Sequence, residues 1–428
     1  MTLPVDLSLR STRAIVDLDA LAGNIRAFRR LAPEPVRLMA VVKANGYGHG
    51  AAMIARAALT AGATHLAVAT VDEGVQLRHR GLTEPIVVLG PIAESEIALG
   101  LRNRLALSVA DSGMIDDISA EARHRSHHGL IHLHLKIDTG MRRFGCFPEE
   151  APVLARRITT DPLLHLEGIF THFGSADEVE ERPTLEQATR FDACLTQIGQ
   201  EIDLTSVLQH AANSAATLRS RRYDYDMVRL GIAMYGAAPS TDIPLTSGMR
   251  PVMSIVSSIA RVIELSAGDR VSYGGTYMAL ANEHAALIPI GYADGYRRAL
   301  SNRGWMGIAG AKAAVRGRIS MDQTVVGLPI GSDASVGDDV VAVGSPASGA
   351  AGWEELASMA GTIAYEMLTG VSARVPRVYI EGGAVVAIER LNTSDVVTVP
   401  VEEGDRSGMT SEHDNVDGRP LDGRRLTS

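Results

Sequence analysis

The sequence predicts an α/β protein with an N-terminal (β/α)8 TIM-type barrel and a C-terminal, mainly antiparallel β domain. Three features of its 428 residues lead to this prediction. Short apolar runs alternate with segments of helical period up to about residue 236. These runs are continuously apolar, as in strands that are buried on both faces. Beyond residue 239 the runs alternate with polar residues and are punctuated by glycine, which is typical of antiparallel sheets.

Eight apolar runs in the first part have the length of strands. Segments between them, such as GAAMIARAALTAG and FDACLTQIGQEID, have the spacing of amphipathic helices. Eight such units in roughly 200 to 250 residues match the size of a closed barrel, and an open doubly wound sheet is the alternative. The predicted strands are 36–42, 65–70, 85–90, 105–110, 131–137, 166–172, 206–211 and 228–235.

The second part contains one predicted helix, at 352–368, followed by a strand in RVPRVYIEGG. We therefore predict a barrel over 12–245 and a β domain over 246–392. The remaining residues, 393–428, are polar and charged. Such a composition buries too little apolar surface to order a chain, so this tail is expected to be partly disordered.

Composition favours a small-molecule partner. The net charge of −9 argues against nucleic acid, because neutralising phosphates needs a clustered basic excess. No run of 18 apolar residues and no signal-like N-terminus occurs, so we expect no membrane partner and a cytoplasmic location. Cys146 and Cys194 lack zinc-ligand spacing. His132 and His134 share one face of a strand without a nearby carboxylate in sequence, so a structural role is favoured and no metal is expected.

Polar residues stand at the ends of the predicted barrel strands. The carboxyl ends of barrel strands form one open face, so these side chains are expected to converge on a site. Lys43, in VVKANGYGHG, either returns the chain to water or presents an amine as a Schiff-base nucleophile against a glycine-rich loop. The strand-end residues are Lys43, Lys136, Asp138, His172, Asn213 and Ser214, with Arg229 inside the eighth strand.

Eight motifs carry a family resemblance. Together, over residues 14 to about 380, they resemble the alanine racemases, pyridoxal-phosphate enzymes of barrel-plus-β-domain type. The resemblance implies interconversion of L- and D-alanine through an external aldimine of pyridoxal 5'-phosphate. In chain order the motifs are AVVKANGYGHG, LKIDTGMRRFG, GIFTHFGSAD, HAANSAA, VRLGIAMYG, VSYGGTY, IPIGYADGYRR and GRISMDQ.

Two acid/base residues follow from this resemblance. Lys43 would carry the cofactor and act on one face of the substrate, and Tyr273 of the other subunit would act on the opposite face. Racemisation requires both, because a proton leaves one side of the α-carbon and returns on the other. The implied cofactor-binding residues are Lys43, Tyr47, His172, Asn213, Ser214, Arg229, Gly231 and Ile232. HAANSAA could also simply be a helix start that Asn213 or Ser214 caps.

The resemblance also implies a substrate site shared within a head-to-tail homodimer. Arg143, rather than its neighbour Arg142, would bind the substrate carboxylate, and Lys136 is a candidate for carbamylation. Ala373 stands where some members carry a tyrosine on the phosphate side, which predicts either a slightly larger pocket or weaker phosphate binding. The implied second-domain residues are Met321 and Asp322 at the substrate and Tyr292, Arg298 and Arg318 in an access corridor.

Other functions remain compatible with these residues. A broader serine and alanine racemase is one, because a pocket rejects an added hydroxyl only weakly. A cofactor-dependent decarboxylase or aldolase is another, although the SYGGT and SMDQ motifs favour a second acid/base residue. A pyridoxal-phosphate carrier or regulator is the non-enzymatic alternative, and it would bind the cofactor without turnover.

Overall fold

The computed structural model describes residues 9–126 and 129–391, and the backbone of 397–398. Two eight-stranded sheets dominate it. One is a parallel barrel from the first half of the chain, and the other is a mainly antiparallel sheet built largely from the second half. This arrangement confirms the predicted fold class.

The barrel strands follow one another in chain order around the sheet, and the first strand also pairs in parallel with the eighth. Backbone bonds from Asp226 N to Gln209 O (2.9 Å) and from Arg229 N to Ala212 O (3.0 Å) join the seventh and eighth strands. Such closure excludes the open doubly wound sheet. The strands are Arg37–Val41, His65–Val68, Ile86–Val88, Ala106–Val109, Ile131–Lys136, Leu164–Phe170, Leu208–His210 and Met227–Leu230.

Helices surround the barrel. Leu18–Leu31, whose N-terminus Asp17 caps through Ala20 N (2.8 Å), precedes the first strand. It packs on both Ala51–Thr60 and Ser214–Arg219, and so occupies the place of the eighth crossover helix. The barrel helices after it are Ala51–Thr60, Val71–His79, Glu94–Arg102, Ser112–His124, Ala151–Thr160, Arg182–Gly199 and Ser214–Arg219.

The second domain is built on the other large sheet. Its strands alternate buried and half-buried residues, as in Met253–Ser258, because one face packs on a core. In sheet order they are Ala311–Ala314, Trp305–Ile308, Asp339–Val343, Met253–Ser258, Arg13–Asp17, Arg377–Glu381, Ala384–Glu389 and Val397–Thr398. Smaller sheets contain Arg261–Leu265, Glu283–Ile288 and Thr324–Gly327, and Arg270–Val271 with Tyr277–Met278.

One strand of this sheet comes from the start of the chain. Arg13–Asp17 pairs antiparallel with Met253–Ser258 and parallel with Arg377–Glu381. The predicted barrel range of 12–245 therefore includes a strand that pairs only with second-domain strands. Pairing across more than 230 residues leaves no local signal in the sequence, because alternation shows that a strand exists but not which strand it joins.

Two predicted elements were wrong in their extent. The helix predicted at 352–368 is two helices, Trp353–Ala360 and Ala364–Thr369, because Gly361 adopts a left-handed conformation (φ 71°) that ends the first. The eighth strand ends at Leu230, and a 3-10 helix, Ile232–Tyr235, follows it. A continuous apolar run is compatible with either structure, since both are fully buried.

The sheet extends into the segment predicted as a tail. Val397–Thr398 pairs antiparallel with Ala384–Glu389. The other residues of that segment, 393–396 and 399–428, lie outside the described residues, so the expectation of disorder there stays a prediction. Within 9–126 and 129–391 no helix has the length and apolarity required to cross a membrane.

Candidate active site

A cavity of about 720 Å3 opens at the carboxyl ends of the barrel strands. The short helix Ala364–Thr369 of the second domain contributes to its wall through Tyr365, Glu366 and Thr369. The structure brings together here all the barrel residues for which the sequence predicts a role. They are Lys43, Tyr47, Lys136, Asp138, Arg143, His172, Asn213, Ser214, Arg229, Gly231 and Ile232.

Lys43 follows the first barrel strand and begins the short turn Lys43–Tyr47. The next two residues, Ala44 and Asn45, both have a φ of 52°, which is unusual for residues other than glycine. Glu73 holds this turn, since its carboxylate accepts from the backbone N–H of Ala44 at 2.6 Å. Burial lowers the pKa of Lys43, Arg143 lowers it further, and Glu73 opposes them. A larger share of the amine is therefore neutral and nucleophilic.

Lys136 ends the fifth strand and is almost fully buried. Its Nζ lies 4.4 Å from the centre of the Phe170 ring. Burial holds the pKa of Lys136 well below its ordinary value, and the cations Arg229 and Arg143 lower it further. Because an amine in this position loses its proton easily, Lys136 is a candidate for reaction as a free base.

Arg229 lies inside the barrel with neutral acceptors around it. One Nη nitrogen donates to Nδ1 of His210 at 3.0 Å. The other donates to Nδ1 of His172 at 3.1 Å and to the carbonyl oxygens of Thr171 (2.9 Å) and Ala211 (2.7 Å). Burial lowers the pKa of Arg229 to about 9. The guanidinium thus remains a cation at neutral pH, and no carboxylate of the described residues contacts it directly.

The hydrogen bond with Arg229 determines the tautomer of His172. Arg229 is a donor only, so Nδ1 of His172 must accept, and the ring proton lies on Nε2. Burial holds the pKa of His172 well below its ordinary value, and Arg229 adds to the effect. A neutral imidazole with an Nε2–H donor therefore lines the cavity.

Ser214 and Tyr47 contribute hydroxyl groups to the cavity wall. The Oγ of Ser214 accepts from the backbone N–H of Gly231 at 2.8 Å. A Cβ atom on Gly231 would lie 3.1 Å from the phenol oxygen of Tyr47, so a larger residue would press on this phenol. Asn213 caps the helix Ser214–Arg219 by accepting from Ala216 N (3.0 Å), which confirms the capping interpretation.

Of the two adjacent arginines, only Arg143 lines the cavity, as predicted. Arg142 is exposed, has a φ of 56°, and lies with its guanidinium 5.0 Å from the centre of the Phe147 ring. Asp138 shapes this loop, because its carboxylate accepts from the backbone N–H groups of Gly140 (2.8 Å) and Arg142 (3.1 Å). The strand-end carboxylate predicted for the site therefore also supports the turn that presents Arg143.

The predicted second-domain residues do not line this cavity. Tyr273, at the start of the 3-10 helix Tyr273–Gly275, is 71% exposed and Met321 is 52% exposed. Tyr292 N bonds to Ser320 O at 3.1 Å, which joins the corridor segment to the SMDQ segment. We call the residues concerned the second-domain face: Tyr273, Tyr292, Arg298, Arg318, Met321 and Asp322.

A buried carboxylate supports the second-domain face. Asp294 accepts from Arg10 at 2.6 Å and from Arg374 at 2.8 Å. Arg374 also donates to Asp322 at 2.7 Å. Arg374 thereby connects the segment of Tyr292 to that of Asp322.

Sequence reasoning missed two residues. Tyr365 lines the cavity, and its ring centre lies 6.3 Å from that of Tyr47. The sole signal for it was a tyrosine within an apolar helical run. Ala373, predicted to weaken the phosphate side, is not among the cavity residues, whereas Tyr365 supplies a phenol there.

The second missed residue is Glu167. It is the carboxylate that the sequence did not reveal beside His132 and His134, at 3.5 Å and 3.3 Å respectively. Glu167 comes from the neighbouring strand, so the spacing along the chain gave no indication of it.

Comparison with known proteins identifies relatives of the whole fold. The family model "Alanine racemase, N-terminal domain" matches residues 16–239, and "Alanine racemase, C-terminal domain" matches residues 252–379. The alanine racemase of Symbiobacterium thermophilum is 40% identical over 371 residues, which cover 87% of this chain and 97% of that protein. That of Geobacillus stearothermophilus is 42% identical over 373 residues, 86% and 94% respectively.

Solved structures similar to this chain are also alanine racemases. An alanine racemase from Bacillus anthracis, with bound L-Ala-P, has a TM-score of 0.83 and 36% identity, covering 90% of this chain and 98% of that one. One from Bartonella henselae, with covalently bound pyridoxal phosphate, has a TM-score of 0.78 and 26% identity, covering 87% and 100%.

The matches to both domains, together with a barrel cavity that contains a lysine, define a pyridoxal-phosphate-dependent amino-acid racemase. More narrowly, the chain belongs to the alanine racemase family.

Proposed function

We propose that this enzyme interconverts L- and D-alanine with pyridoxal phosphate held on Lys43, in a head-to-tail homodimer. Lys43 and Tyr273 of a second copy would be the two acid/base residues. The names of the relatives support alanine as the substrate. The Bartonella henselae structure, with covalently bound pyridoxal phosphate, supports that compound as the cofactor. The bound L-Ala-P of the Bacillus anthracis structure also supports an alanine-like ligand.

One observation carries the proposal. The amine of Lys43 lines the cavity without an ion pair in the described part of the chain, while Tyr273 of the same chain lies outside the cavity and is 71% exposed. An exposed phenol on the second-domain face is available to another molecule. A second copy would supply it to this cavity, and symmetry would then create two equivalent sites.

The side chains of the cavity fit the cofactor. The guanidinium groups of Arg143 and Arg229 suit an anionic ligand, and the amine of Lys43 suits an aldehyde. Burial raises the pKa of Tyr47 and of Tyr365, so both phenols stay protonated and can donate to a phosphate. When bound, pyridoxal phosphate delocalises the electron pair that remains after the α-proton leaves.

Each remaining role belongs to a residue of this chain. Arg229 would donate to the pyridine nitrogen but hold its own proton, which keeps electron withdrawal moderate and disfavours side reactions. Nζ of Lys43 would take or return the α-proton on one side. The Nε2–H of His172 would orient the phenol of the second copy, which acts on the other side.

Arg143 would bind the substrate carboxylate, and its charge acts on the neighbouring Lys136. As ammonium and guanidinium they would repel each other, and this repulsion contributes to the low pKa of Lys136. The nitrogen of a neutral amine adds to the carbon of carbon dioxide and releases one proton to solvent, and the resulting carbamate would carry a negative charge that attracts Arg143. We therefore propose that Lys136 is carbamylated and orients Arg143.

Co-expression of two inactive variants tests the two-copy site. Lys43→Ala and Tyr273→Phe should each be inactive alone. When both are co-expressed equally, half of the dimers are mixed and each has one intact Lys43–Tyr273 pair, so about a quarter of wild-type activity returns. The double variant should show none. If mixing restores no activity although mixed dimers are present, a site within one chain would replace this proposal.

Chiral chromatography after incubation with single L-amino acids tests the substrate. L-alanine should yield an equal mixture of enantiomers, and L-serine should react more slowly. Equal rates with both would favour a broader racemase. Loss of the carboxyl group would indicate a decarboxylase, and yellow protein without turnover would indicate a carrier.

A further inference from the structure

A series of hydrogen bonds crosses the interior of the barrel. Arg229 donates to Nδ1 of His210 at 3.0 Å. Nε2 of His210 lies 3.0 Å from Nδ1 of His134. Nε2 of His134 lies 3.3 Å from Oε2 of Glu167. We call Arg229, His210, His134 and Glu167 the histidine series.

The two ends of the histidine series open on different cavities. Arg229 lines the active-site cavity at the carboxyl ends of the strands. Glu167 lines a second cavity, of about 440 Å3, together with Pro85, Ile86 and Ala106. Ile86 and Ala106 are the first residues of the third and fourth barrel strands, so this cavity lies at the amino-terminal end of the barrel. Glu167 itself therefore lies outside the active-site cavity.

Every bond of the series has one permitted direction. Arginine only donates, so Nδ1 of His210 accepts and the proton of that ring lies on Nε2. Nε2–H of His210 then donates to Nδ1 of His134, whose proton must lie on Nε2 in turn. That proton points to Glu167, and a carboxylate only accepts. A donor at one end and an acceptor at the other are consistent with two neutral imidazoles between them.

The charge states of Glu167 and His210 are consistent with this direction of the hydrogen bonds. Burial alone would raise the pKa of Glu167, but hydrogen bonds from His132 and His134 outweigh it and hold the pKa below its ordinary value. Burial keeps the pKa of His210 well below its ordinary value, and Arg229 lowers it further. Glu167 is therefore an anion and His210 is neutral at physiological pH.

Local backbone features create room for the histidine series. A bulge between the fifth and sixth strands sets Leu133 opposite Leu166 and His134 opposite Gly168, so that Glu167 is the additional residue. A Cβ atom on Gly168 would lie 2.4 Å from Nδ1 of His134, which only glycine avoids. The ring of Phe170 stacks on His210 with the planes parallel and the centres 4.8 Å apart. These contacts fix the position of both imidazoles.

We propose that Glu167 is a positioning residue for Arg229, acting through His134 and His210 as a relayed counter-charge. Arg229 needs one, because all its direct acceptors are neutral and a buried cation without compensation is costly. Polarisation along a series of hydrogen bonds strengthens each of them. Glu167 thus keeps Arg229 charged and oriented, and Arg229 in turn fixes the tautomer of His172. The catalytic consequence rests on the proposed function, whereas the hydrogen-bond direction does not.

Nuclear magnetic resonance of the cofactor-bound protein, labelled with 15N in its histidine rings, tests the histidine series directly. Signals of His134 and His210 are assigned from His134→Gln and His210→Gln variants. Both rings should be neutral with the proton on Nε2. Glu167→Gln keeps an acceptor oxygen but removes the charge, so the Nε2–H proton signals of both histidines should move upfield. His132→Gln, which removes the other neighbour of Glu167, is the matched control and should leave the His210 signal in place.

Kinetics then tests the positioning role. Glu167→Gln should lower kcat about tenfold with KM changed less than about twofold, a loss typical of residues that orient a functional group from behind. Gly168→Ala, which displaces His134 while Glu167 stays, should lower kcat similarly. His132→Gln should keep wild-type rates.

Three results would overturn the inference. A proton on Nδ1 of His134 or His210 would contradict the direction of the series. An unchanged His210 signal in Glu167→Gln would show that no charge is relayed, whatever the rate. A shifted signal with an unchanged kcat would remove the positioning role. If Glu167→Gln shows the relayed shift but the wild-type protein racemises nothing, the proposed function fails and the hydrogen-bond series stands.

Discussion

Arg377 donates two hydrogen bonds to the carbonyl oxygen of Gly48, one from Nε at 3.1 Å and one from Nη at 3.0 Å. Arg377 begins a strand of the second-domain sheet, and Gly48 lies five residues after Lys43. Arg377 therefore ties the turn that presents the amine to the second domain. Its other Nη contacts are to the carbonyl oxygens of Val371, Ser372 and Val375.

Replacing Arg377 should therefore affect both stability and cofactor binding. Arg377→Met leaves several buried carbonyl oxygens without a donor, and we expect a loss of about 3 kcal/mol in the free energy of unfolding. The turn of Lys43 also loses its support, so the affinity for pyridoxal phosphate should fall. Urea unfolding and cofactor titration measure the two effects. Arg26→Met, at an exposed arginine, should change neither, and a stable variant with normal affinity would contradict this role.

Arg143 should control the protonation of Lys43. After burial, its charge is the largest influence that lowers the pKa of Lys43. Arg143→Ala removes a positive charge, so the pKa of Lys43 should rise and its amine should become reactive only at higher pH. Competitive acylation of the cofactor-free protein over a pH series measures this value without reference to turnover. Arg142→Ala, at the neighbouring exposed arginine, should give the wild-type curve. A fall in the pKa on replacing Arg143 would refute the electrostatic explanation.

The phenol of Tyr365 should donate a hydrogen bond to the phosphate of the cofactor. Its phenol shares the cavity with Tyr47, and burial keeps it protonated. Tyr365→Phe removes one donor, which should cost about 1 to 1.5 kcal/mol, or roughly tenfold in Kd for pyridoxal phosphate. Pyridoxal, which has no phosphate, should bind the variant and the wild type equally. Equal losses for both ligands would mean that Tyr365 acts on the ring instead.

Asp224 should destabilise the fold at neutral pH. Its two carboxylate oxygens are buried without a hydrogen-bond partner in the described structure, and burial raises its pKa to about 6 against the weaker opposing effect of Arg221. The folded state therefore holds the proton more tightly than the unfolded state, whose pKa is near 3.8. Above pH 6 both states are ionised and folding bears the cost of the buried charge. This cost diminishes as the pH falls from 6 towards 4.

Asp224→Asn consequently should stabilise the protein by about 1 to 2 kcal/mol at pH 8, with a gain that shrinks towards pH 4. Urea unfolding at both pH values measures the difference. Asp333→Asn, at an exposed carboxylate, should show no such pH dependence. A gain for Asp224→Asn that grows on acidification would reverse the sign and reject the argument.

Much of the site could be predicted because barrel geometry is regular. Strand ends of a parallel barrel share one face, so Lys43, Lys136, His172 and Arg229 had to converge once the strands were recognised. The second-domain residues could not be located in the same way. Tyr273 lies on a separate face, and its predicted place opposite Lys43 depends on a second copy of the chain.

By itself, the sequence determined the fold class, the eight barrel strands and the lysine at the end of the first, because buried strands and their terminal polar residues are local patterns. Tertiary structure decided which strands pair and which distant side chains meet. The tertiary structure joined Arg13–Asp17 to the second sheet and brought Tyr365 beside Tyr47, and it connected Glu167 to Arg229 through His134 and His210. Contacts of this kind depend on long-range burial and strand register, which neighbouring residues in a chain do not encode.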